Sequence, residues 1–182
     1  IHMDFYFINA TSIRHFTAVL LILDGKTRKM WQFPTQQKRP PLDIVNFFLL
    51  QLKRMGREVQ HIRTDCGGEL SGSSKFCASI KNKFAVGLER TGTYSSWLNG
   101  KAERHVQTAC NMLRMGQTDH GLGDKLWCCK CEDTTQKYNA IVHSAHGEVP
   151  DFLWYGRRPN AWEFRDFGCK IEAKIGIVLK TL

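Results

Sequence analysis

Ile1-His2-Met3-Asp4-Phe5-Tyr6-Phe7-Ile8 is an apolar, strand-like run with a carboxylate at its centre. Burying a carboxylate there is costly unless a proton, a cation or a hydrogen bond compensates it. Two further segments frame an acid in a similar way. Val59-Gln60-His61-Ile62-Arg63-Thr64 reads as a strand leading into Asp65, followed by Cys66-Gly67-Gly68-Glu69. Asn99-Gly100-Lys101-Ala102-Glu103-Arg104 opens a long helical pattern. Three carboxylates brought together from such contexts suggest a hard divalent cation with positions left for phosphate. Taken singly, each has a plainer explanation: a hydrogen-bonded strand Asp, or a Glu that complements a helix dipole. Glu58 and Glu69 read as surface or loop residues.

The surrounding pattern predicts a mixed α/β fold. Strands are expected at 2–9, 16–24 and 28–33, with Asp24-Gly25-Lys26 supplying turn chemistry between the second and third. Pro34 and Pro40-Pro41 separate this hairpin from a helix at about 42–55, whose apolar stripe is Leu42, Val45, Phe48, Leu49 and Leu52. Gly56 is its expected C-terminal cap. A strand at 58–64, a helix at 74–84 and a strand at 85–90 follow, and Thr91 to Leu98 reads as a polar loop. Helices are then expected at about 100–115 and 124–142, with a loop-rich remainder and a short helix near 161–165. Strands interleaved with helices in this order predict one sheet with helices on both faces.

The 182 residues, 42% of them apolar, are enough for one buried core, with the break expected between residues 1–145 and an extension at 146–182. Lys and Arg number 26 against 17 Asp and Glu, a net charge of +9 that favours polyanions. The most apolar stretch, Phe16 to Leu23, is strand-sized, so no membrane span is expected. No signal peptide is read either, and a chain opening at isoleucine is expected to be a fragment, although His2-Met3 also fits a cloning scar. Seven cysteines without a signal favour reduced thiols inside the cell. Cys128 and Cys131 with His143 and His146 have loosely zinc-like spacing, but small cysteines on an amphipathic helix are the preferred reading.

Together these motifs resemble the catalytic core of retrovirus-type integrases, specifically those of Ty1/copia LTR retrotransposons. His2-x-Asp4, Asp65-x-Gly67-Gly68-Glu69 and Asn99-Gly100-x-Ala102-Glu103-Arg104 match its three acidic motifs in order. Trp154-Tyr155-Gly156-x-x-Pro159 and Phe167-Gly168-Cys169 resemble the copia-type segment that follows the core. The chain departs from the family at Cys66, where asparagine is usual, and in a loop before the third motif that lacks proline. The resemblance implies a ribonuclease-H-like fold in which Asp4, Asp65 and Glu103 hold two Mg²⁺ or Mn²⁺ ions for 3′-end processing and strand transfer. Asn99, Lys101, Arg104 and His105 would then face retrotransposon and target DNA, with Asn99 and Gly100 shaping the loop and capping the helix. Tyr94 and Trp97 would either stack on a base or anchor that loop, and Arg157-Arg158 would meet DNA, a partner subunit or only solvent. Arg114 extends the basic character along the helix or lies on an ordinary solvated face. The resemblance further implies a homo-oligomer and a nuclear site of action reached through cytoplasmic virus-like particles. The rival readings are a catalytically silent, domesticated core that binds DNA or assembles, and a ribonuclease-H-type nuclease acting on hybrids.

Overall fold

The computed structural model describes residues 1–36, 41–64, 70, 72–90, 96–118, 123–144, 146–165 and 167–169. Strands β1 (His2–Phe7), β2 (Ala18–Leu23) and β3 (Met30–Thr35) form an antiparallel meander. After helix α1 (Leu42–Arg54), strand β4 (His61–Thr64) pairs parallel with β1; after helix α2 (Ser74–Phe84), strand β5 (Gly87–Arg90) pairs parallel with β4. The resulting order, β3-β2-β1-β4-β5, puts the strand that carries Asp4 in the middle of the sheet.

Local chemistry explains the meander's turn. Asp24 Oδ2 accepts hydrogen bonds from the backbone N–H of Lys26 at 3.2 Å and of Thr27 at 2.7 Å, and from the Thr27 hydroxyl at 2.7 Å. That is the Asx-turn chemistry expected of the position. All of β2 is buried, and its alternation divides the core. Leu20 and Ile22 join Met3 and Ile62 beneath Val45, Phe48, Leu49 and Leu52 of α1 and Phe76 and Ile80 of α2. Val19, Leu21 and Leu23 join Tyr6 and Met30 on the opposite face. Ala109 and Leu113 of helix α3 (Ser96–Thr118) cover that face, together with Trp127, Cys128, Cys131 and Tyr138 of helix α4 (Trp127–Ala140). Helices therefore lie on both faces, as the sequence predicts.

Edges and ends supply the corrections. β3 continues through Pro34 to Thr35, past the expected end at 33. It is an outer strand, where a missing backbone donor is tolerated. α4 covers it: Asn139 Oδ1 accepts from Met30 N–H at 2.8 Å, and its Nδ2 donates to the Met30 carbonyl at 2.8 Å. At the end of α1, Gly56 takes φ +70°, while Gly56 N–H reaches Lys53 O and Arg57 N–H reaches Leu52 O. This is the paired closure that a left-handed glycine permits. A short helix α5 (Pro150–Tyr155), with Pro150 in its first turn and Gly156 as a left-handed cap, occupies a stretch expected to be loop.

The largest correction concerns α3. It begins at Ser96, so Trp97 and Leu98 leave the expected loop, and Asn99 and Gly100 are interior helical positions rather than a loop and cap. An interior glycine costs about 1 kcal/mol against alanine, which a long helix packed on the sheet absorbs. Residues 91–95, including Tyr94, lie outside the described residues. No helix among the described residues is long and apolar enough to cross a membrane.

Candidate active site

Register fixes where the first acid points. Asp4 lies opposite Leu21, and Tyr6 opposite Val19, so Asp4 shares the face roofed by α3 and α4. It is half-buried, and its Oδ1 accepts the N–H of Phe5 at 2.7 Å. α3 packs against β1 through Val106, Ala109, Cys110 and Leu113. Glu103 sits one turn before Val106 on the same helical stripe and is exposed. β4 runs beside β1 in parallel, with Thr64 opposite Met3, so the chain leaves the described part of β4 immediately beside the strand that bears Asp4. Asp65, with Cys66 and Glu69, lies outside the described residues. The structure thus sets Asp4 and Glu103 on facing elements on one side of the sheet.

The basic flank is more divided. Lys101 belongs to α3 with Asn99, and Arg104 is exposed beside Glu103. His105 is half-buried, its ring centroid 6.1 Å from that of Tyr138 on α4. Arg114 is exposed near the far end of α3, at a cavity of about 260 Å³ lined by Asn9, Ala10, Asp124 and Trp127. One further pair escapes a reading of the sequence: Arg63 on β4 and Glu89 on β5, direct register partners joined by an ion pair at 2.7 Å. Its only signal in the sequence is that strand alternation puts Arg63 two positions before Asp65.

The zinc-like spacing dissolves in three dimensions. Cys128 and Cys131 are buried near the start of α4, and the Cys131 sulfur lies 4.0 Å from the Tyr6 hydroxyl. Burial pushes the Cys131 thiol up to about 12, holding it protonated where it packs. His143 and His146 follow the opposite end of that helix. The His143 Nε2 lies 2.9 Å from Tyr138 O, and the His146 Nε2 lies 3.1 Å from Thr27 O. No group of three or more His, Cys, Asp or Glu that could hold a metal occurs among the described residues.

His143 makes a pH-dependent contribution to stability. Burial holds the His143 imidazole below its ordinary range; the Tyr138 carbonyl acts in the other direction, and neighbouring His146 lowers it further. An unfolded histidine titrates at about pH 6.5. The unfolded chain therefore takes up the proton first as pH falls. The stabilisation is complete above about pH 6.5 and is lost as pH drops through the folded value. Urea melts at a series of pH values between about 5 and 7 should show this loss, and His143→Gln should flatten the slope.

No protein-family model and no curated protein matches the chain. Solved structures do. One is a chain of the simian T-cell lymphotropic virus intasome in complex with the PP2A regulatory subunit B56 gamma, with TM-score 0.67 and 16% identity over 88% of this chain. The alignment spans 56% of that longer chain. The HTLV-2 integrase catalytic core domain, in complex with magnesium in a trimeric form, gives TM-score 0.59 and 14% identity over 82% of this chain and 90% of its own. The BIV integrase catalytic core domain gives 0.59 and 14% over 85% and 92%. At these identities the likeness establishes the fold: a mixed five-stranded, ribonuclease-H-like sheet of the kind found in integrase catalytic cores.

Proposed function

We propose that the chain is the catalytic core of a copia-type retrotransposon integrase, which processes the 3′ ends of retrotransposon DNA and joins them to target DNA. The observation that carries this reading is Asp4 on the central strand facing the helix that bears Glu103, within a fold shared with integrase cores. Their donor chemistry fits a hard divalent cation: the ligand atoms are carboxylate oxygens, and Asp4 is half-buried in an apolar sheet where a cation offsets desolvation. Asp4, Asp65 and Glu103 would hold Mg²⁺ or Mn²⁺, two ions with DNA bound. When bound, such ions stabilise the attacking and leaving oxygens of an in-line displacement. The HTLV-2 core described with magnesium supports the choice of cation.

The chain's own groups bind and orient. Lys101 and Arg104, on the helix that carries Glu103, hold backbone phosphates with little sequence readout, and His105 and Asn99 complete that flank. In end processing, water attacks a phosphorus near the DNA end and frees a 3′-hydroxyl. In strand transfer, that hydroxyl attacks a target phosphodiester, whose own 3′-oxygen leaves. No covalent enzyme intermediate is required. The protein works as a homo-oligomer, as the trimeric and intasome neighbours suggest, in a nucleus reached through cytoplasmic virus-like particles. Residues 146–182 are the extension that follows the core.

The test offers the purified chain, with Mn²⁺ or Mg²⁺, a labelled duplex DNA end beside an RNA–DNA hybrid of the same sequence. Joined DNA products are expected. Cleavage of the hybrid alone would replace this reading with a ribonuclease-H-type nuclease, and inertness toward both would leave the silent-core reading.

A further inference from the structure

Among the described residues, helices roof the sheet face that holds Asp4 on one side of β1, while on the other side its side chains stay partly exposed. α3 packs on β1 and α4 on β3. On β4 and β5 the same face carries His61, Arg63 and Glu89, whose side chains remain 60%, 36% and 41% exposed. Ile62 and Leu88, the alternate residues, point into the core beneath α1 and α2. Parallel register pairs Arg63 with His2, which places the guanidinium on the face of Asp4, one strand away.

Arg63 is held, but only by one edge. Glu89 Oε2 accepts from Nε at 3.1 Å and from Nη2 at 2.7 Å, and no partner among the described residues meets Nη1. Glu89 Oε1 lies 3.3 Å from His61 Nδ1. That imidazole lies so close over Gly87 that a Cβ there would come within 2.9 Å of it. The Arg63 guanidinium holds the Glu89 carboxyl below its ordinary range, so the anchor stays charged at neutral pH. A surface ion pair of this exposure adds little to stability. A planar fork with donors to spare, fixed on a partly exposed floor beside half-buried Asp4 in a chain of net charge +9, suits a phosphate better than it suits fold maintenance.

We infer that Arg63 is a phosphate-binding residue: Glu89 fixes its guanidinium by one edge, and the remaining N–H groups receive a nucleic-acid backbone phosphate on the partly exposed half of the sheet. The inference rests on the proposed DNA-joining function, since it assigns a subsite of the same cleft. The same chemistry would accept free phosphate, so the experiment separates the two.

Binding of a short labelled DNA duplex to the full chain is followed by anisotropy in metal-free buffer from about 50 to 200 mM salt. Thermal melts run alongside. Arg63→Gln should weaken binding and reduce the slope of log K against log salt by about 1, the share of a single neutralised phosphate, with an unchanged melt. Glu89→Gln keeps the cation and should keep the wild-type slope. A wild-type slope in Arg63→Gln, with wild-type protein binding DNA normally, would overturn the subsite and leave the proposed function standing. Failure of the wild-type protein to bind DNA would bring down both. A parallel titration with inorganic phosphate decides the source: tight binding abolished in Arg63→Gln without any change in DNA slope would assign a free-phosphate site and reject the nucleic-acid one.

Discussion

Asp65→Asn should abolish both 3′-end processing and strand transfer while the protein keeps its fold. The substitution is nearly isosteric and removes one negative charge from the set proposed to hold divalent cations. Metal ions contribute several kcal/mol of transition-state charge stabilisation in such displacements. At about 1.36 kcal/mol per decade, losing them costs about a thousandfold or more in rate. Asp4→Asn should behave the same way, since Asp4 sits half-buried on the central strand beneath the helix that bears Glu103. Product formation on labelled DNA ends, read beside a thermal melt, checks both. Strand transfer retained at the wild-type rate by a folded Asp65→Asn protein would end the assignment.

The second large effect is on stability. Trp154→Ala should destabilise the whole domain by about 3–5 kcal/mol, the usual cost of deleting a buried tryptophan. Trp154 is 6% exposed and joins the core cluster beneath α1 and α2. Its ring packs edge-on against Trp31 at 5.1 Å, and the Arg57 guanidinium lies over it at 4.0 Å. Arg57 also donates to the Trp154 carbonyl, and Lys29, 4% exposed, pairs with Asp151 on the same helix. A single cooperative transition, shifted as a whole in denaturant melts, is the expected result. A separate early transition confined to the C-terminal segment would instead make residues 146–182 an independently unfolding appendage.

Elements whose signals are local are legible in the sequence. Asp24 announces its turn because the carboxylate bonds to backbone groups two and three residues away, and α1 announces itself by a stripe that meets a single core face. Where tertiary packing overrides a local signal, the sequence misleads. Asn99-Gly100 is a natural break by itself, yet the helix runs through it because the following turns pack on β1 and β2. Pro34 looks like a terminator until β3 proves to be an outer strand. α5 is six residues long, too short to show a period, and is fixed by one buried tryptophan and its terminal Pro150 and Gly156.

The candidate site is only partly open to such reading. Asp4 stands out because a charge in an apolar strand requires a reason, and Glu103 because it heads a regular stripe. The Arg63–Glu89 pair is invisible: its partners are 26 residues apart and meet only through the parallel register of two four-residue strands. His105 is read as facing DNA, and its half-buried ring also lies near Tyr138, a neighbour that no spacing along α3 reveals.

The central claim, that the three carboxylates hold hard cations for DNA joining, is tested most directly by counting Mn²⁺ bound to the protein, by electron paramagnetic resonance, with a duplex DNA end present. Wild-type protein should bind the ion, and Asp4→Asn, Asp65→Asn and Glu103→Gln should each weaken that binding while remaining folded. Equal Mn²⁺ binding by wild type and all three variants would contradict the account.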